Sequence, residues 1–198
     1  MSSSILWAVP RLSVTKAPPF AAVVFDMDGV LVDGEPAHYE AMRAVLAEDH
    51  IAFSVEEYTA YIGTKAGWVK FASKFDLPHR IDYYRECYDK RVLRFYREEA
   101  EPLPGVMSLI TELGDASMPL AVASSSCRTW VEACLTRLGL DDAFDAVVSS
   151  DDIAQGKPNP EIYLLAVELL GEEPSACLAI EDAPAGIESA HAAGMACW

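Results

Sequence analysis

Basic residues are scarce in this chain. Its 198 residues hold 15 lysines and arginines against 31 aspartates and glutamates, a formal net charge of −16 at pH 7. So negative a surface repels DNA, RNA and anionic membranes, which excludes nucleic-acid binding and surface membrane binding as principal roles. A small phosphorylated molecule is not excluded, because a local metal and a few lysines can override the global field. Long apolar runs are also missing: no stretch approaches the roughly 18 residues needed to span a bilayer. The five cysteines (87, 127, 134, 177 and 197) are odd in number and form no C-x-x-C pair or zinc spacing. Free thiols in a reducing compartment, the cytoplasm, are therefore expected rather than a disulfide scaffold. Internal repeats are absent. Acids are absent before Asp26, while Ser2 to Ser4, Arg11 and Lys16 are present. Residues 1–19 are read as a disordered leader, with an organelle transit peptide as the alternative.

What is present is a core. Hydrophobic residues make up 52% of the chain, enough to exclude global disorder. Four apolar segments read as buried strands: Ala22–Phe25, Leu120–Ala123, Ala146–Val148 and Cys177–Ile180. Helical spacing predicts helices over 105–114, 128–139, 160–170 and 184–193, with Gly139 as a C-cap. Strands of continuous apolar character alternating with helices argue for an α/β fold, a parallel sheet with helices on both faces. Between the first and second strands lies an insertion, about residues 36–101, with no convincing strand. Within it Ser54 and Glu57 form a capping-box pattern, and residues 80–99 read as a long amphipathic helix.

In an open parallel sheet, ligands bind beyond the carboxyl ends of the strands. The first strand runs into "DMDG", placing Asp26, Asp28 and Gly29 there. The second ends in Ser124, Ser125 and Ser126, and the fourth in Glu181 and Asp182. Gly156-Lys157-Pro158 precedes a helix. Two carboxylates one residue apart at the end of a buried strand repel each other, and need a cation or a proton to be tolerated. Oxygen ligands without His or Cys suit Mg²⁺, bound through a few carboxylates plus substrate phosphate. A carboxylate beside such a metal can attack phosphorus. A second, two residues on, lies on the same side of an extended chain and can transfer protons. Serine hydroxyls can hold phosphoryl oxygens, and lysine can offset crowded negative charge.

"FDMDGVLVDGEP", "VASSS", "GKPNP" and "IEDAPAGI" resemble, in order and spacing, the four motifs of the haloacid dehalogenase-like hydrolases with a helical cap after the first strand. The resemblance covers about residues 20–198 and is nearest to the phosphatases and sugar-phosphate mutases typified by beta-phosphoglucomutase. It implies a Rossmann-like core over 20–35 and 102–198 and a helical cap domain over 36–101. It further implies Asp26 as nucleophile, Asp28 as general acid/base and Lys157 as the charge-balancing residue. Ser124, with Ser125 and Gly29, would bind phosphate. Asp26, the Asp28 carbonyl and Asp182 would bind Mg²⁺, with Glu181 supporting. Glu35, His38, Thr64 and Lys65 would face the substrate. The implied activity is a Mg²⁺-dependent phosphatase acting on a small phosphorylated metabolite through an aspartyl-phosphate. A sugar-phosphate mutase and a truncated, non-catalytic phosphate-binding module are the alternatives. A monomer or weak oligomer is expected.

Three departures stand out. Gly34 occupies a position where relatives commonly carry Ser or Thr, and is read as loosening a hinge. The loop "YIGTKAGW" lacks the arginine expected of that mutase, which tilts the reading toward hydrolysis. The sequence stops at "GMACW", before the strand and helix with which the family normally continues, so the C-terminal edge strand is expected to be missing. The insertion's tyrosines, Tyr83, Tyr84, Tyr88 and Tyr96, with Phe95, are read as packing residues.

Overall fold

The computed structural model describes residues 19–59, 74–75 and 77–198. Strand β1 (Ala22–Phe25) is followed by helices α1 (Glu35–Ala47), α2 (Val55–Thr59) and α3 (Ile81–Glu98). The chain then returns through α4 (Val106–Asp115), β2 (Leu120–Ala123), α5 (Arg128–Leu138), β3 (Ala146–Val148), α6 (Glu161–Leu170), β4 (Cys177–Ile180), α7 (Pro184–Ala192) and β5 (Ala196–Cys197). The five strands form one sheet in the order β3-β2-β1-β4-β5, parallel at every pairing.

The sheet is buried on both faces. Val23, Phe25, Leu120 and Val122 point into one core, where Val92 and Tyr96 of α3, Ile110 of α4 and Val131 and Leu135 of α5 meet them. Ala22, Val24, Ala121, Ala123 and Ala179 point the other way, against Ile162, Tyr163 and Ala166 of α6 and Ala190 of α7. Alternation along each strand assigns the faces, and the alanines let α6 and α7 approach closely. A third cluster, Val45, Leu46, Phe53 and Tyr84, lies wholly within the helical segment between β1 and β2.

Local signals in the sequence are realised in the expected places. Ser54 and Glu57 form a reciprocal capping box: the Glu57 amide donates to Ser54 Oγ at 3.2 Å and the Ser54 amide to Glu57 Oε2 at 3.0 Å. Helix α5 ends at Gly139 with φ 69°, a left-handed cap that glycine adopts without steric cost.

The C-terminal edge differs from expectation. Ala196–Cys197 pairs with β4 as a fifth strand, Leu178 opposite Ala196 and Ala179 opposite Cys197. The Trp198 amide donates to the Ala179 carbonyl at 2.9 Å, and the Glu181 amide to the Trp198 carbonyl at 3.1 Å. Two residues suffice to continue the ladder because buried backbone groups must be paired; periodicity cannot register so short a strand.

Candidate active site

Parallel register brings the candidate residues together. Phe25 lies opposite Val122 of β2 and Ile180 of β4, so one residue further Asp26 falls between Ala123 and Glu181. Its amide donates to the Ile180 carbonyl at 3.0 Å, fixing the strand end at the centre of the sheet.

Lys157 enters this point from the loop before α6. Its Nζ donates to Asp26 Oδ1 at 2.7 Å and to the Ala123 carbonyl at 2.9 Å, and also bonds Glu181 Oε1. It lies 4.9 Å from the centre of the Tyr163 ring. The Tyr163 hydroxyl donates to Glu181 Oε1 at 2.7 Å, and the Ala183 amide to Oε2 at 3.3 Å. The side chains of Lys157, Asp26 and Glu181 are only 7%, 11% and 1% exposed.

One buried ammonium thus serves two carboxylates. Burial, and then the charges of Glu181 and Asp28, push the Asp26 carboxyl up to about 7 against the pull of Lys157. Burial favours a neutral Lys157, yet Asp26 and Glu181 outweigh it and hold the amine above its ordinary range. Asp182 is raised by burial and by Glu181. Asp26, Glu181 and Asp182 each offer an oxygen, all within 4.8 Å of one another. A hard, oxygen-only set in which Asp26 and Asp182 hold their protons more tightly than usual fits Mg²⁺.

The second acid faces elsewhere. Asp28 accepts from the Tyr96 hydroxyl at 2.6 Å through Oδ1 and from the Ser126 hydroxyl at 3.0 Å through Oδ2. Gly34 makes room for it: a Cβ there would stand 2.1 Å from Asp28 Oδ1. The structure gives a steric reason for glycine at this position, beside the hinge role expected of it. Gly29, with φ 82°, turns the chain, and a Cβ on it would stand 2.0 Å from Asp182 Oδ2.

The other candidates are distributed as follows. Ser124 is buried at the end of β2, where its Oγ accepts from the Ser126 amide at 3.1 Å. Ser125 is exposed. His38, on α1, bonds Tyr96 through Nε2 at 3.0 Å and Tyr88 through Nδ1 at 2.5 Å; burial lowers its pKa, against the charges of Asp28 and Glu35. Glu35 starts the same helix, exposed. Thr64 and Lys65 lie outside the described residues.

Sequence reasoning missed Tyr96, Tyr163, Ser126 and Gly186. Tyr96 was assigned to packing, and its ring is fully buried, but its hydroxyl meets a candidate catalytic acid. A Cβ on Gly186 would stand 1.9 Å from Glu181 Oε1. Tyr163 carried a usable signal, being three residues after Pro160 on the buried face of a helix that opens beside Lys157.

The family model described as haloacid dehalogenase-like hydrolase matches residues 20–194. Fructose-1-phosphate phosphatase YqaB of Escherichia coli (strain K12) is 34% identical over 181 residues, covering 89% of this chain and 94% of that protein. Beta-phosphoglucomutase of Bacillus subtilis (strain 168) is 32% identical over 189 residues, covering 88% and 80%. The crystal structure of CbbY from Rhodobacter sphaeroides in complex with phosphate superposes with a TM-score of 0.80 at 28% identity, covering 90% of this chain and 84% of that one.

Proposed function

The chain belongs to the haloacid dehalogenase-like hydrolases, and from that premise we propose that it is a Mg²⁺-dependent phosphatase for a small phosphorylated metabolite such as a sugar phosphate. One observation carries the reading. A buried lysine bridges Asp26 and Glu181 at the carboxyl end of the central strand, with Asp182 alongside and Asp28 turned toward the helical segment. The same residues were assigned roles from the sequence motifs.

Asp26 attacks phosphorus, forming a carboxylate–phosphorus bond as the ester oxygen leaves. Asp28 gives its proton to that oxygen, then takes one from the water that attacks the aspartyl-phosphate; the bond to Asp26 breaks and inorganic phosphate departs. Lys157 pulls Asp26 toward its ionised form against burial and offsets the incoming phosphate charge. Ser124, Ser125 and the backbone at Gly29 receive phosphoryl oxygens. Asp26, the Asp28 carbonyl and Asp182 would hold Mg²⁺, with Glu181 behind them. Bound there, it supplies positive charge to the phosphoryl group and to the carboxylates. Residues 36–101 are assigned as the cap, a reading supported by the separate apolar cluster among its described residues; Glu35, Thr64 and Lys65 are assigned to substrate recognition, while both ring nitrogens of His38 are taken by Tyr88 and Tyr96. Free thiols at all five cysteines suit a cytoplasmic setting, and no described helix is long and apolar enough to cross a membrane.

The relative named beta-phosphoglucomutase supports a second reading, in which phosphate moves within a sugar phosphate instead of passing to water. The test is phosphate release from a panel of phosphorylated metabolites, with Mg²⁺ and with chelator, for wild type and Asp26→Asn. We expect metal-dependent release that falls at least about a thousandfold in the variant. Metal-independent release, or an active Asp26→Asn, would refute the phosphatase reading. Isomerisation without release would establish the mutase.

A further inference from the structure

The helical segment reaches the acid/base through a chain of hydrogen bonds. Tyr96 sits near the end of α3, the helix by which that segment rejoins the core, and His38 sits in the first turn of α1, by which it leaves. Tyr96 has one proton and places its hydroxyl 2.6 Å from Asp28 Oδ1. Once Asp28 has given its proton to the departing oxygen, the carboxylate can only accept, so Tyr96 donates to it. Tyr96 must then accept from His38 Nε2, 3.0 Å away, which places the ring proton on that nitrogen. Nδ1 is left as the acceptor for the Tyr88 hydroxyl at 2.5 Å. In that ionised state, donor and acceptor accounting fixes every proton from Tyr88 through His38 and Tyr96 to Asp28. Trp130 of α5 closes the surround, its ring 5.4 Å from that of His38.

We propose that Tyr96 is a positioning residue for Asp28, orienting the acid/base carboxylate from the helical segment while His38 and Tyr88 orient Tyr96. Ser126 anchors the other carboxylate oxygen from the core at 3.0 Å, so the two donors together fix the plane of the group. Gly34 leaves the space in which the Tyr96 hydroxyl and Asp28 meet: a Cβ at that position would lie 2.8 Å from the hydroxyl oxygen as well as 2.1 Å from Oδ1. Proton delivery to the departing oxygen accordingly depends on how α1 and α3 are seated. The inference rests on the phosphatase reading.

A misplaced general acid harms poor leaving groups and spares good ones, whereas damage to the phosphoryl site or to the fold harms both. The test compares kcat/KM for phenyl phosphate and 2,4-dinitrophenyl phosphate, with Mg²⁺, in wild type and Tyr96→Phe. Loss of one hydrogen bond to a charged group predicts a fall of about tenfold or more on phenyl phosphate. The fall on the dinitrophenyl ester should be under about twofold, because its leaving group needs no proton. Gly34→Ala, whose Cβ would intrude between the Asp28 carboxylate and the Tyr96 hydroxyl and break their contact, should give the same split and decides the matter if Tyr96→Phe fails to fold. Equal losses on both esters, or no loss on either, would overturn the proposal. Wild type inactive on both esters would overturn the phosphatase reading, and this inference with it.

Discussion

Replacing Lys157 with methionine probes the charge balance at the centre of the sheet. The side chain is 7% exposed and touches carboxylates that are 11% and 1% exposed, so solvent screens the group poorly. Removing one partner from a buried ion pair leaves an uncompensated charge and costs about 3–5 kcal/mol. For a chain of this length each kcal/mol moves Tm by about 2–4 °C, which predicts a fall of about 6–20 °C in metal-free protein at pH 8. The sign of the pH dependence follows from Asp26. Its carboxyl is pushed up to about 7 from an ordinary 3.8. The folded chain therefore keeps a proton that the unfolded chain releases, and wild type loses stability as pH rises from about 4 to about 7. Without Lys157, Asp26 rises further and that loss extends to higher pH. The gap between wild type and Lys157→Met should therefore be small near pH 5 and widest at pH 8. Urea unfolding with chelator at the two pH values measures it. A gap below about 1 kcal/mol, or one that does not change with pH, would refute a buried, uncompensated carboxylate pair.

Two further outcomes follow from the same geometry. Gly186→Ala forces a methyl group to within 1.9 Å of Glu181 Oε1; the overpacking should cost about 1–3 kcal/mol, read from the urea midpoint, and lower turnover by displacing Lys157. Added Mg²⁺ should raise Tm at pH 7.5, by the equivalent of about 2.7 kcal/mol at a hundred times its dissociation constant; chelator should reverse the shift and Asp182→Asn should weaken it.

Much of the fold was legible because it rests on local patterns. Four strands were found from continuous apolar runs, and the capping box at Ser54 and Glu57 from two residue types at fixed spacing. Asp26, Lys157 and Asp182 could be placed together because parallel strands deliver their ends to one edge. The missed residues depend on the rotation and approach of helices, which tertiary packing sets. Nothing local says that the Tyr96 hydroxyl reaches Asp28 rather than water, since its ring satisfies the apolar period either way. Ser126 was seen as one of three serines, but only the turn after β2 decides that Ser126 rather than Ser125 is buried against Asp28. The steric use of Gly34 was hidden for a related reason: a glycine in sequence shows freedom of the backbone, not the space beside it.

That use recurs around the site. Gly29 backs Asp182, Gly34 backs Asp28 and Gly186 backs Glu181, each so closely that a Cβ would stand 2.0, 2.1 or 1.9 Å from a carboxylate oxygen. A side-chain wall at any of these positions would push an acid out of the cluster. The acids are instead packed against backbone, which moves less than side chains because the sheet ladder and the helix starts hold it. Gly29 and Gly186 belong to the core, while Gly34 immediately precedes α1, the first helix of the inserted segment. The arrangement separates two tasks. Asp182 and Glu181 are placed by core elements, the sheet, α7 and, for Glu181, Lys157 and Tyr163 of α6, independently of the inserted helices. Asp28 is held by the core through Ser126 and by α3 through Tyr96. Of these acids it is the one whose proposed task changes with the leaving group, and it is the one tied to the inserted helices.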